Sequence, residues 1–227
     1  MIKLIPLVVL LSYSAQSQTL ATIDDPDGYV NIRKGLGTNT KIVGKFVEDE
    51  VFYFYEDKSQ EWYSVYKFDM SLNRSKEGFI HKSRIKEISS LKSIGRKGAI
   101  SRGRVISNDT LNFSIVLKNF DRLKHKYELQ DEKWVVKIDN KRPWGVDGGY
   151  PTAEIQSLHL KINGKTVSFP KDAYIDIFEL DLSSLKIYQN TSGTLFIATS
   201  NSDGAGYYDL VWKIQDRTYK GRFIGVF

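Results

Sequence analysis

From residue 28 to the end of the chain, apolar residues recur with period two, and no stretch sustains the 3.6-residue period of a major helix. Val30 and Ile32 alternate with Asn31 and Arg33, as in a strand with one buried face. Ile42 to Tyr55 is rich in Val, Phe and Tyr, and Glu48-Asp49-Glu50 divides it into two short strands. Trp62 to Tyr66 predicts another, and Gly78-Phe79-Ile80 opens one more. Farther along, Trp134 to Ile138 and Leu195 to Ala198 have the same character. Leu158 to Ile162 alternates, Asn163-Gly164 turns, and Thr166 to Phe169 follows. Asn-Gly tolerates positive φ at both centres of a type I′ turn, so this is a hairpin signal. Tyr208, Leu210, Trp212 and Ile214 share one face of a strand, Asp216-Arg217 turns it, and Tyr219, Phe223 and Phe227 belong to the return. Residues 171–180 are expected to hold at most a turn or two of helix.

Residues 89–104 break the pattern. Gly95, Gly98 and Gly103 punctuate a basic stretch with few large apolar groups, which predicts a mobile linker between two domains. Charge concentrates nearby. The chain has 33 Lys+Arg against 27 Asp+Glu, net +6. Residues 91–126 hold 9 basic and 2 acidic side chains, whereas 18–90 and 127–227 are each net −1. Such a segment favours anionic partners, among them envelope phosphate polymers, anionic lipid or an acidic protein, or it is simply a solvated connector.

The first residues bear on compartment. Lys3, the apolar run Leu4 to Leu11 interrupted by Pro6, and Ala15-Gln16-Ser17 have the layout of a secretory signal peptide, residues 1–17, cleaved before Gln18. That run is less than half of the roughly 20 residues a spanning helix needs, and no later stretch is longer, so no membrane span is expected. Nucleic acid is not an expected partner of an exported chain. With no Cys there is no Cys-linked lipid anchor and no disulfide. Stability must come from burial, to which 13 Tyr, 12 Phe and 4 Trp contribute, each covering on the order of 150–250 Å².

Within 18–88, an ordered set of motifs stands out: Gly28-Tyr29-Val30-Asn31-Ile32-Arg33 with Gly35 and Gly37 after it, Ile42-Val43-Gly44-Lys45, Trp62-Tyr63-Ser64-Val65, and Gly78-Phe79-Ile80-His81. Residues 28–86 resemble a bacterial SH3 (SH3b) domain on these residues. Leu36 stands where family members often carry Pro, and Lys67–Glu77 is longer than a simple hairpin. The resemblance implies a small barrel that binds cell-wall peptidoglycan or a peptide, with Asn31, Arg33, Trp62, Tyr63 and His81 as groove residues. The expected fold is mostly β: an SH3-like barrel, then an antiparallel β-rich domain over 105–227, sandwich or barrel, with little helix.

Catalytic patterns are sparse. Lack of Cys excludes the Cys peptidases that often accompany such modules. His81, His125 and His159 lie in separate segments, no Ser occupies a Gly-x-Ser-x-Gly elbow, and no zinc-ligand spacing occurs. No cofactor or metal is expected. Two Gly-rich loops carry aromatics beside acids: Trp144, Asp147 and Tyr150 in one, Asp203 and Tyr207 in the other. They are candidate ligand contacts, although Asp-Gly is foremost a turn dipeptide. The leading expectation is an envelope-associated binding protein, its first domain on peptidoglycan or a peptide and its second on another partner such as an envelope protein. The alternatives are a secreted inhibitor of a wall-degrading enzyme, or a wall-active hydrolase using acids within 147–203.

Overall fold

The structure is a computed structural model that describes residues 18–23, 25–69, 73–201 and 204–226. The signal-peptide expectation, Asp203 and Phe227 lie outside the described residues. The described chain is almost entirely antiparallel β. No helix in it is long and apolar enough to cross a membrane.

Seven strands make the first sheet: β1 (Gln18–Ile23), β2 (Tyr29–Arg33), β3 (Ile42–Val47), β4 (Phe52–Tyr55), β5 (Trp62–Asp69), β6 (Arg74–His81) and β7 (Ile85–Glu87). Their order, β3-β2-β6-β5-β4-β1-β7, curls into a half-barrel. Alternation sets its inside. Val30, Ile32, Phe46, Phe52, Phe54, Val65 and Ile80 pack into one cluster, with Phe46 stacked on Phe52 at 4.2 Å between ring centroids. Strand β2 meets β6 only at Arg33 and Phe79. That tight crossing explains Gly78: at φ +148, a Cβ there would overlap the Arg33 carbonyl.

Strands β8 (Lys92–Ser93), β9 (Arg96–Ile100), β10 (Gly103–Ser107), β11 (Leu111–Asn119), β12 (Tyr127–Gln130), β13 (Trp134–Ile138), β14 (Ala153–Ile162), β15 (Lys165–Val167), β16 (Lys186–Gln189), β17 (Leu195–Asn201), β18 (Tyr208–Gln215) and β19 (Thr218–Gly225) complete the chain. One five-stranded sheet runs β15-β14-β11-β10-β9, another β19-β18-β17-β16-β8, and β12 pairs β13 separately. The two larger sheets face each other across a shared core that includes Phe113, Ile115 and Leu160 from one and Ile197, Leu210 and Trp212 from the other. This is sandwich packing. Trp212 is fully buried, and its indole N–H donates to the Ala173 carbonyl at 2.7 Å. The bond ties down Lys171–Ala173, a single 3₁₀ turn and the only helical residues of 171–180.

The other face of the second sheet is covered too. Tyr188, Phe196, Ala198, Val211 and Phe223 pack on Val51, Tyr53 and Ile88 of the first half. The molecule is therefore layered as half-barrel, sheet, sheet, and β17 and the core of β18 are buried on both sides. The Asn163-Gly164 turn has the expected positive φ at both centres, 51 and 73, and the Asp216-Arg217 turn takes the same sign at φ 50 and 57.

The expected linker is a correction. Residues 89–104 contain the end of a 3₁₀ turn, β8, β9 and the start of β10. Arg96 to Ile100 pairs with β10 as a sheet edge, and all five of its side chains are exposed. An exposed edge strand lacks large apolar groups for the same reason a linker does. Side chains fasten it as well: Lys97 Nζ donates to the Ser183 carbonyl at 2.9 Å, and Arg104 Nε to that of Leu182 at 3.0 Å.

Candidate functional site

On the outer face of the half-barrel lies an open groove of about 430 Å³, lined by Asp25, Tyr29, Asn31, Arg33, Trp62 and His81 among others. Strand parity puts them there. In β2 the even positions Val30 and Ile32 turn inward, so Asn31 and Arg33 turn out. Trp62 and His81 are register partners across β5 and β6, and their rings meet edge to face at 5.4 Å. Tyr63, expected in this groove, is a correction. It has the opposite parity to Trp62 and stacks on Phe54 at 5.7 Å, against the half-barrel core.

Local bonds hold the groove's polar groups. Arg33 Nη1 donates to the Thr40 carbonyl at 2.8 Å, and Thr40 Oγ1 donates to the carbonyls of Gly35 and Gly37, both at 3.0 Å. One arm of this guanidinium thus closes the 34–41 loop. His81 Nδ1 lies 2.8 Å from Ser83 Oγ, while its Nε2 is 3.5 Å from Glu61. A hydrogen bond from Lys82 holds the exposed Glu61 carboxyl below its ordinary range. Arg84 pairs with Asp25 at 2.5 Å. The groove therefore offers an indole, an imidazole, two guanidiniums and two aspartates, Asp25 and Asp27.

The C-terminal candidates separate. Trp144, expected at a ligand, is a correction: it is 4% exposed, and its backbone pairs with that of Asp176 and Phe178 at 2.9 Å. Its ring belongs to the sandwich core, with the Arg142 guanidinium 4.4 Å away. Tyr150 packs edge-on to Tyr127 at 4.9 Å and lies under Arg122 at 3.3 Å. Asp147 is exposed, in a turn where Gly149 N–H donates to its carbonyl at 2.8 Å. The two loops do meet, since Gly206 lies against the Gly145 carbonyl. Tyr207 points elsewhere, into a cleft of about 470 Å³ at the junction of the halves, with Ser184, Ser200 and Asp209. Burial and the neighbouring Asp209 push the Tyr207 hydroxyl well above the usual tyrosine range.

Sequence reasoning missed the polar centre of that junction. Asp209 is 3% exposed, accepts from Tyr53 Oη at 2.8 Å and from Ser200 Oγ at 2.5 Å, and so joins the two halves. No signal in the sequence marked it, because an Asp between Tyr208 and Leu210 reads as the solvent-facing residue of a strand with one buried face. His125 was missed as well. Its two ring nitrogens sit 2.7 Å from Asp139 and 3.5 Å from Glu154, so both are engaged by carboxylates. Among the described residues, no group of three or more His, Cys, Asp or Glu is placed to hold a metal ion. No family model, curated protein or solved structure matches this chain.

Proposed function

We propose that the protein is an exported, envelope-associated binding protein whose SH3-like half-barrel holds peptidoglycan or a peptide in the Asn31–Arg33–Trp62–His81 groove. The observation that supports this reading is the convergence of those four residues, from three strands, on one open groove beside Arg84 and Asp25. An aromatic ring bordered by both signs of charge suits a short peptide, which brings carboxylate, amine and apolar groups together. In this reading the sandwich, packed against the half-barrel, serves as a rigid body that carries a second contact surface.

The test is co-sedimentation of residues 18–227 with insoluble peptidoglycan at low and high salt. Retention that survives high salt and falls about thirtyfold in Trp62→Ala supports the groove, since truncating a central aromatic anchor costs about 2 kcal/mol or more. Retention abolished by salt assigns the attraction to the basic 91–126 region instead. No retention at either salt refutes wall targeting.

A further inference from the structure

Where the halves meet, on the β4–β5 side, Asp49, Glu50, Val51 and Lys67 face Lys213, Lys220 and Arg222 across a cavity of about 170 Å³. Its charges do not cancel. Lys67 and Lys76 share one Glu50 oxygen at 2.8 and 2.7 Å. Burial alone would raise the Glu50 carboxyl, but those two lysines outweigh it and hold the group below its ordinary range. Arg222 is matched by Asp176 through two bonds of 2.5 and 2.6 Å. The Asp49 carboxylate is occupied by Asn190 and Thr194 at 2.6 and 2.7 Å.

Lys213 has no such match. Its ammonium donates to the Asp49 backbone carbonyl at 3.1 Å and makes no ion pair among the described residues. It is half-buried, and burial lowers its pKa; the charges of Asp49 and Glu50 oppose that shift without reversing it, while Lys67 and Lys220 add to it. Lys220 reaches this place through a bulge. The β18–β19 register shifts between Lys213 and Ile214, leaving Lys220 without a partner across the ladder, and Gly221 takes φ +119 to allow it. Five cations, Lys67, Lys76, Lys213, Lys220 and Arg222, thus stand against three carboxylates, Glu50, Asp49 and Asp176. A partly desolvated ammonium with no direct carboxylate contact is unfavourable, and an anion placed beside it offsets that cost.

We propose that this cavity binds a small oxyanion, phosphate or the phosphate group of an ester, between Lys213, Lys220 and Lys67. The site is distinct from the outer groove, so either can fail alone. The test is calorimetric titration of residues 18–227 with inorganic phosphate at constant ionic strength, then with a glycerophosphate diester. Saturable one-to-one binding is expected, weakened at least tenfold in Lys213→Met and in Lys220→Gln and unchanged in Lys58→Gln. Tighter binding of the inorganic ion supports a free-phosphate site, and tighter binding of the diester supports a phosphate-polymer site. Absence of saturable binding to both probes overturns the proposal, as does wild-type affinity in the lysine variants. Lys213→Met keeps the buried stem of the side chain. If it nevertheless fails to fold, exposed Lys220 decides the matter alone.

Discussion

Replacing Tyr53 by Phe removes one oxygen from the junction and leaves the packing in place. Tyr53 is 2% exposed, its ring stands edge-on to Phe223 at 5.4 Å, and its hydroxyl donates to Asp209 at 2.8 Å. A hydrogen bond to a charged acceptor contributes about 1.5–3 kcal/mol. Because Ser200 also donates to Asp209, the lower end applies, about 1.5 kcal/mol. For a chain of this length that corresponds to a fall of about 3–6 °C in Tm. The assay is urea and thermal unfolding followed by tryptophan fluorescence in a Trp62→Phe background, where the remaining Trp134, Trp144 and Trp212 lie in the second half although the substitution lies in the half-barrel. Tyr29→Phe, 42% exposed on the groove side, is the control. If the junction couples the halves, Tyr53→Phe lowers the transition these tryptophans report and Tyr29→Phe leaves it in place. A loss below about 0.5 kcal/mol, within the usual range for surface substitutions, would refute the coupling.

Other outcomes follow from the same geometry. Burial, first of all, holds the hydroxyls of Tyr53, Tyr207 and Tyr208 above the ordinary tyrosine range. The folded state therefore binds those protons more tightly, and its stability, complete below about pH 10, declines as pH rises beyond it; unfolding midpoints unchanged from pH 9 to pH 11 would contradict this. Gly145→Ala, at φ +89 with the Phe178 carbonyl where a Cβ would go, is expected to destabilise by more than about 1 kcal/mol in urea melts. Trypsin is expected to cut at Lys124, 72% exposed in its side chain, before it cuts between Arg96 and Arg104; early cleavage within 96–104 would mean that β9 is not held against β10.

Strands such as β2, β14 and β18 and the Asn163-Gly164 and Asp216-Arg217 turns were legible because they depend on nearest neighbours: alternation, and residues that accept positive φ. The groove was half legible. Asn31, Arg33, Trp62 and His81 have matching parity, and the same rule separates Tyr63 from Trp62, since adjacent residues on a strand cannot share a face. What the sequence hid was the sandwiched middle sheet. Strands buried on both faces lose the alternation that marks an inside, so Phe196 and Val211 read as ordinary apolar residues rather than as a contact with another part of the chain. The edge strand β9 was hidden for the opposite reason, having no buried side chain to announce it.

Sharing a sheet between two halves has a consequence for how the chain is made. Tyr53 and Asp209 are separated by 156 positions, so the apolar patch around Val51, Tyr53 and Ile88 stays uncovered until β16 to β19 have been made. Closure of contacts so distant in sequence is slow. A nascent or truncated chain ending before β17 would expose that patch to water, and residues 105–227 alone would expose its counterpart. Each fragment would be sticky and short-lived in a way the finished molecule is not.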